Sequence, residues 1–201
     1  MHTARTGRKM PMKGRESGMP DEALWNSFFD AETTLDQLSA KKIAGDVTEF
    51  GCGYGTFTLP AARRASGIVT ALDIDQTMIS LVRNKAVTEK ISNINVGNRD
   101  FIENGTGLPD NSQAYAMLFN LLHVETPAAL LREAFRILQP SGIISVIHWR
   151  TDIPTPRGPS RSIRPTPEQC SEWMKTAGFH GVTITDLQNC CPYHYGMTAK
   201  R

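Results

Sequence analysis

The sequence lacks the features that would place it in a membrane, on a secretory route or in a disulfide-built scaffold. No apolar run approaches the roughly 20 residues needed to cross a bilayer, so no membrane contact is expected. The first twenty residues, MHTARTGRKMPMKGRESGMP, are basic but lack the apolar core of about 7 to 15 residues that a secretory signal needs, and a cytoplasmic location is expected. Cysteine is scarce: Cys52, Cys170, Cys190 and Cys191 form no CxxC pair and no zinc-ligand spacing, which leaves them as free thiols and argues for no metal site. The adjacent Cys190 and Cys191 would point to opposite faces of a strand, which disfavours joint coordination of a soft acceptor. A formal net charge of +2 is too small to argue for nucleic acid. Only the arm over residues 1–19 departs from that balance, with Arg5, Arg8, Lys9, Lys13 and Arg15 against Glu16. It reads as a flexible solvated terminus, with an RNA-holding arm as the alternative.

What is present fits one domain over residues 20–201, in a chain of 201 residues with 40% hydrophobic and 21% charged side chains. After the acidic start Asp21 and Glu22, the spacing of Leu24, Trp25, Phe28, Phe29 and Leu35 predicts one or two amphipathic helices. Gly45 to Phe50 reads as a strand, GCGYG as a turn and TFTLPAARRA as a helix. GIVTALDID supplies a second strand with Ile68, Val69, Ala71 and Leu72, followed by the helix QTMISLVRNKAVTEK. A weaker strand lies around Ile94 to Val96, a buried one at AYAMLF, a helix at PAALLREAFRIL and a strand at GIISVIHW. This alternation, with strands that read as apolar runs, predicts a parallel sheet covered on both faces. The five prolines of RTDIPTPRGPSRSIRPTP exclude regular structure there. PEQCSEWMKTAGF then reads as a helix, with VTITDL and YHYGMTAK as a closing strand pair.

The chemistry concentrates at Glu49-Phe50-Gly51-Cys52-Gly53-Tyr54-Gly55, an acid at a strand end followed by glycines at alternate positions. Glycine lets a backbone approach a ligand and adopt positive φ. The dinucleotide fingerprint GxGxxG would put its third glycine at Thr56, and the acid before the turn would repel a pyrophosphate. Both departures suit a ligand with a positive end, and they count against a nicotinamide-dependent dehydrogenase. Asp73 ends the second strand, where a carboxylate can accept hydrogen bonds from a ribose.

These residues resemble a class I S-adenosylmethionine-dependent methyltransferase, of the broad group that includes the small type 11 enzymes, from about Met19 onward. EFGCGYG is similar to the family's acid-x-Gly-x-Gly-x-Gly signature, ALDID to its ribose-binding strand end, RDF to its adenine-contacting acid, and LREAFRILQPSGIISVIHW to the approach to the fifth strand, with Ser141 where glycine is frequent. The resemblance implies a doubly wound Rossmann-like α/β fold whose seven-stranded sheet has the order 3-2-1-4-5-7-6, one strand antiparallel, flanked by helices. It implies S-adenosylmethionine as cofactor, held by Glu49, Gly51, Cys52, Gly53, Gly55, Asp73, Ile74, Asp100, Phe101 and Asn120. Ala114-Tyr115 departs from the family pattern, which often has an aspartate after a phenylalanine at the start of the fourth strand.

Residues after the fourth and fifth strands face the reaction in such a sheet. His123 and His148 are therefore the candidate catalytic residues, as bases where the acceptor must lose a proton, with the alternative that each merely satisfies a turn or a carbonyl. Of the two, His148 is expected to line the pocket wall. Trp25, Phe28 and Phe29 are expected either as a lid or as ordinary core, and Arg150, Arg157, Arg161 and Arg164 either as anion contacts or as solvated loop charges. Asn120-Leu121-Leu122-His123 replaces the Asn-Pro-Pro-aromatic tetrapeptide of amino-group methylation of adenine or glutamine. The expected activity is methyl transfer to a small molecule. An RNA or protein methyltransferase, or a non-catalytic cofactor-binding module, is the alternative.

Overall fold

The structure, a computed structural model, describes residues 19–201; the basic arm lies outside the described residues. Two short helices open the described chain, α1 (Glu22–Asn26) and α2 (Ala31–Gln37), each started by an aspartate whose carboxylate accepts a backbone N–H, Asp21 from Leu24 and Asp30 from Thr33. Then β1 (Val47–Phe50), α3 (Thr58–Arg64), β2 (Val69–Asp73), α4 (Gln76–Thr88), β3 (Ile94–Asn98), α5 (Phe101–Asn104), β4 (Gln113–Phe119), α6 (Pro127–Ile137) and β5 (Leu138–Trp149) alternate along the chain. Pro60 is tolerated inside α3 because it falls in the first turn, where the missing N–H has no intrahelical partner. A 3-10 turn (Arg161–Ile163) interrupts the proline-rich loop before α7 (Pro167–Thr176), which a reciprocal Thr166–Gln169 capping box starts, and β6 (His180–Asp186) and β7 (His194–Lys200) follow.

The strands form one seven-stranded sheet in the order β3-β2-β1-β4-β5-β7-β6. β1 to β5 pair parallel, and β7 pairs antiparallel with both β5 and β6, as the resemblance implies. Alternate side chains of each strand feed opposite faces. Phe50, Leu118 and Val146 pack with Leu130, Leu131, Cys170 and Met174 beneath α6 and α7. Val47, Met117 and Ile147 pack with Leu35, Ala61 and Ala62 beneath α2 and α3. Ile68 is half exposed and precedes β2. Ser141 has φ +67, which explains why glycine suits that position: the turn leading into the paired part of β5 needs left-handed backbone. The helix α5 has no sequence signal beyond its cap, being too short to show periodicity.

Candidate active site

Parallel strands end on the same side, so the loops after β1 to β5 converge. They enclose a cavity of about 690 Å³, whose walls include Glu49 and Gly51 to Tyr54 after β1, Asp73 to Asp75 after β2, Arg99 to Ile102 after β3, Phe119 to Leu121 with His123 and Val124 after β4, and Trp149 at the end of β5. Trp25 and Phe28 of the first helical segment close one side, and Arg157, Gly158 and Pro159 of the proline-rich loop close another.

The glycine turn is built from the strand ends. Leu72 O accepts from both Gly51 N (2.8 Å) and Cys52 N (3.0 Å), which ties the turn to β2. Asp73 completes the tie: one carboxylate oxygen accepts from Gly53 N at 2.9 Å and the other from Asp75 N at 2.9 Å. Each oxygen keeps a second lone pair for a hydroxyl donor. Gly53, at φ +49, is the point where the backbone faces the cavity, and a Cβ there would meet only the Met19 methyl, at 3.4 Å. Gly55 serves differently. It lies off the cavity wall, and a Cβ there would sit 2.8 Å from Leu59 Cδ1, so its requirement comes from packing against α3 and α4.

Above the turn, α1 is fastened by three contacts: the Tyr54 hydroxyl donates to Pro20 O at 2.6 Å, the Thr56 hydroxyl to Asn26 Oδ1 at 2.7 Å, and Lys85 bonds both Glu22 and Tyr54 O. Trp25 and Phe28 sit edge to face with ring centroids 6.5 Å apart, and Phe28 meets Trp149 at 5.6 Å. Phe29 turns away toward Phe57 (5.3 Å) and His194 (4.8 Å), as a core residue does.

Of the acidic residues, Glu49 is buried, takes a hydrogen bond from Thr58, and is pushed up to about 8 by burial. Asp100 spends one carboxylate oxygen on the N–H groups of Ile102 (3.2 Å) and Glu103 (3.1 Å) as the cap of α5. Cys52 is buried against Ala71, Ile79 and Val82, and burial holds its thiol far above the ordinary range. All four cysteines are free and buried, and no cluster of potential metal ligands occurs among the described residues.

Asn120 has a left-handed backbone, φ +58, and both polar atoms of its amide are buried without a partner. His123 lines the cavity, but His148 does not: it is 0% exposed and lies behind His123, with His123 Nδ1 3.3 Å from His148 Nε2. The expectation of His148 on the pocket wall is thus corrected. Its place in β5, between β4 and β7, removes it from any surface. Burial lowers His123 to about 4 and His148 to about 3, so both rings are neutral at ordinary pH.

Arg164 is neither a solvated charge nor a free anion contact. It is 9% exposed, donates to the carbonyls of Pro159 (2.8 Å), Arg150 (3.0 Å) and Arg157 (3.1 Å) and to the Thr155 hydroxyl (2.7 Å), and lies over Trp149. It shapes the proline-rich loop. Arg150 pairs with Asp152, and Arg161 donates to Ile153 O at 2.8 Å. Arg157, one of the candidate anion contacts, does line the cavity, whereas sequence reasoning missed Tyr54, Arg99 and the Gly158–Pro159 wall. Tyr54 and Arg99 had a signal, their places within the GCGYG and RDF motifs.

This order of strands, with carboxylates beside a glycine turn at the reversal between β1 and β4, is the arrangement in which a doubly wound sheet holds a ligand at its switch point. A methyltransferase domain family matches residues 47–142. The chain is 29% identical over 197 residues to a probable S-adenosylmethionine-dependent methyltransferase of Mycolicibacterium smegmatis, covering 89% of this chain and 72% of that one. It is 33% identical over 122 residues to a ubiquinone/menaquinone biosynthesis C-methyltransferase of Bartonella quintana, covering 59% of this chain and less than half, 45%, of that one. A crystal structure of an S-adenosylmethionine-dependent methyltransferase from Aquifex aeolicus superposes with TM-score 0.74 at 21% identity, over 90% of this chain and 93% of that chain. The matched domain and these relatives together support a class I S-adenosylmethionine-dependent methyltransferase, with S-adenosylmethionine as the cofactor.

Three observations test the fit of that cofactor. The Asn120 amide is buried and unpartnered at the cavity wall. The carboxylates of Glu49 and Asp73 face the glycine turn, an acceptor set for ammonium and ribose hydroxyl donors rather than for phosphate. The turn exposes backbone at Gly53 with no side chain between it and the cavity. The residues present fit the group.

Proposed function

We propose that this methyltransferase acts on a small, largely apolar acceptor. The observation that carries the reading is the cavity's mixed lining: carboxylates and the glycine turn, together with the aromatic rings of Trp25, Phe28 and Trp149, in contact with one another, and of Phe57 and Phe119. Aromatic walls with a few polar groups are what a small apolar ligand requires. The relative from Bartonella quintana, named for ubiquinone and menaquinone biosynthesis, supports the same substrate class.

In this reading Glu49, Gly51, Cys52, Gly53, Asp73, Ile74, Asp100, Phe101 and Asn120 hold the cofactor, with Gly55 supporting the turn from behind. When bound, S-adenosylmethionine supplies an electrophilic methyl group on a sulfonium centre. The protein's share is mostly to position the acceptor, since alignment of two reactants is the largest saving open to a displacement reaction. Trp25, Phe28 and Trp149 act as an apolar lid that excludes water. His123 Nε2 accepts the acceptor's proton where one must leave. Residues 20–201 work as a single domain, and the protein acts in the cytoplasm.

The experiment is a transfer assay with methyl-labelled S-adenosylmethionine against quinols, phenols, sterols and, separately, bulk RNA and protein, with products identified by mass spectrometry. Methylation of a small apolar compound supports the reading. Label only in RNA, lost when residues 1–14 are deleted, would replace it with the basic-arm alternative, and cofactor binding without any transfer would leave a binding module.

A further inference from the structure

Resting on the methyl-transfer reading above, we infer that His148 is a positioning residue that fixes the tautomer of His123, and that the site is built for acceptors whose nucleophilic atom carries a proton: a hydroxyl, an amine or an acidic C–H.

His148 Nδ1 lies 3.4 Å from Trp149 O, and His148 Nε2 lies 3.3 Å from His123 Nδ1. A carbonyl only accepts, so Nδ1 of His148 carries the hydrogen, and a neutral imidazole has just one. Nε2 of His148 is then a lone pair. His123 Nδ1 must be the donor to it, which leaves His123 Nε2 as the lone pair. That atom has no partner among the described residues, is not among the fully covered unpartnered atoms, and belongs to a ring that lines the cavity. The opposite arrangement would turn a bare nitrogen of His148 toward the Trp149 carbonyl inside the sheet, two acceptors facing each other without water, at the full cost of unsatisfied buried groups.

The surroundings keep both rings neutral. Arg164 faces the pair from the proline-rich loop, and His194 and Tyr195 face it from β7. The Tyr195 hydroxyl is engaged, 2.9 Å from Pro165 O and 3.2 Å from Cys170 Sγ. A neutral, pre-oriented lone pair serves an acceptor that must lose a proton; an acceptor already bearing a free lone pair and no proton would gain nothing from it. The balance closes: the nucleophile forms its bond to the methyl carbon, the carbon–sulfur bond breaks with its electron pair left on sulfur, and the proton passes to His123 Nε2. The positive charge thereby moves from the sulfonium to the imidazolium, whose Nδ1–H bond to His148 strengthens as it becomes charge-assisted.

The test reads tautomers directly, by long-range proton–nitrogen NMR of the nitrogen-15-labelled, cofactor-free protein at neutral pH. The five histidines are assigned by single substitutions. Nδ1–H with a bare Nε2 is expected on both His123 and His148. His148→Phe should turn His123 toward the Nε2–H form that free imidazole side chains prefer in water, and His148→Gln, whose carbonyl can accept from His123, should restore Nδ1–H. A wild-type His123 protonated at Nε2 would overturn the inference, with no variant needed. So would a His148→Phe protein that folds and leaves the His123 tautomer unchanged. Thermal stabilisation by S-adenosylhomocysteine, measured on the same samples, separates the two levels: its absence would count against the methyltransferase reading, while its presence with the wrong tautomer would count against His148 alone.

Discussion

Replacing Glu49 by Gln perturbs a single buried charge and yields a prediction with a definite sign. Glu49 is raised from the ordinary 4.5 to about 8, chiefly by burial, and further by the neighbouring Asp73 carboxylate, while the Thr58 hydroxyl opposes the rise. A carboxyl with a raised folded-state value holds a proton that the unfolded chain has lost, so its stabilising contribution is complete below 4.5 and disappears as pH climbs through 8. At about 1.36 kcal/mol per unit, the difference amounts to at most about 5 kcal/mol between the two ends of that window. Denaturant unfolding should therefore show the wild type losing stability relative to Glu49→Gln steadily from about pH 5 to 8, with the gap constant above 8. Comparing the two proteins cancels the contribution of the buried histidines, whose depressed values take stability away on the acid side instead. Cofactor binding adds a second readout. A cationic ligand beside Glu49 favours the carboxylate, so binding near pH 7 should release a proton. Calorimetry in two buffers of different ionisation enthalpy detects it, and Glu49→Gln should abolish it. Parallel pH–stability curves for the two proteins would refute the reasoning, as would buffer-independent binding heat in the wild type.

Asp73→Ala removes the acceptor for Gly53 N and Asp75 N as well as the proposed ribose contact. It should weaken S-adenosylmethionine binding by about 1.5 to 3 kcal/mol, the range for hydrogen bonds to a charged group, as read by calorimetry on folded protein. Gly55→Val should act on the fold before the ligand, because φ is +78 and the new Cβ would fall 2.8 Å from Leu59 Cδ1. A loss of about 2 to 4 kcal/mol in denaturant unfolding is expected from strain and overpacking together. His123→Ala should lower turnover of a protonated acceptor about 10²- to 10⁴-fold at unchanged cofactor affinity. Because His123 is lowered to about 4, the wild-type rate should stay flat down to about pH 5 and fall only below it; a fall centred near 6.5 would show a solvated ring instead.

The parts of this site that could be read in the sequence are those in which one short segment makes its own geometry. GCGYG between a strand and a helix, an aspartate ending the next strand, and apolar runs at regular intervals lead to a covered parallel sheet and to the cavity's position, while the strand order follows from the family resemblance those motifs carry. What escaped depends on partners far apart in sequence. Arg164 looks like a loop charge until its guanidinium is seen among backbone carbonyls of its own loop, which the prolines leave without ladder partners. The contact of His123 with His148 comes from the register that sets Phe119 beside Ile147, so that the strand ends bring residues 25 positions apart together. Gly55 was grouped with its neighbours by pattern, yet its reason is the width of the gap to Leu59 and Val82.

The place of β7 bears on how the chain is made. Last of the described strands to leave the ribosome, it lies between β5 and β6 and pairs with both. Until His194–Lys200 emerges, the outer border of β5 has no neighbour, and Ile143 to Trp149 present an apolar strand with bare amides to whatever is near. Translation at about 5–20 residues per second makes that interval roughly 3 to 10 s. The nascent protein is thus open to strand exchange and chaperone capture between the making of β5 and that of β7, when β1 to β5 already exist, and premature termination anywhere in the proline-rich loop would leave a product with a bare β5 edge.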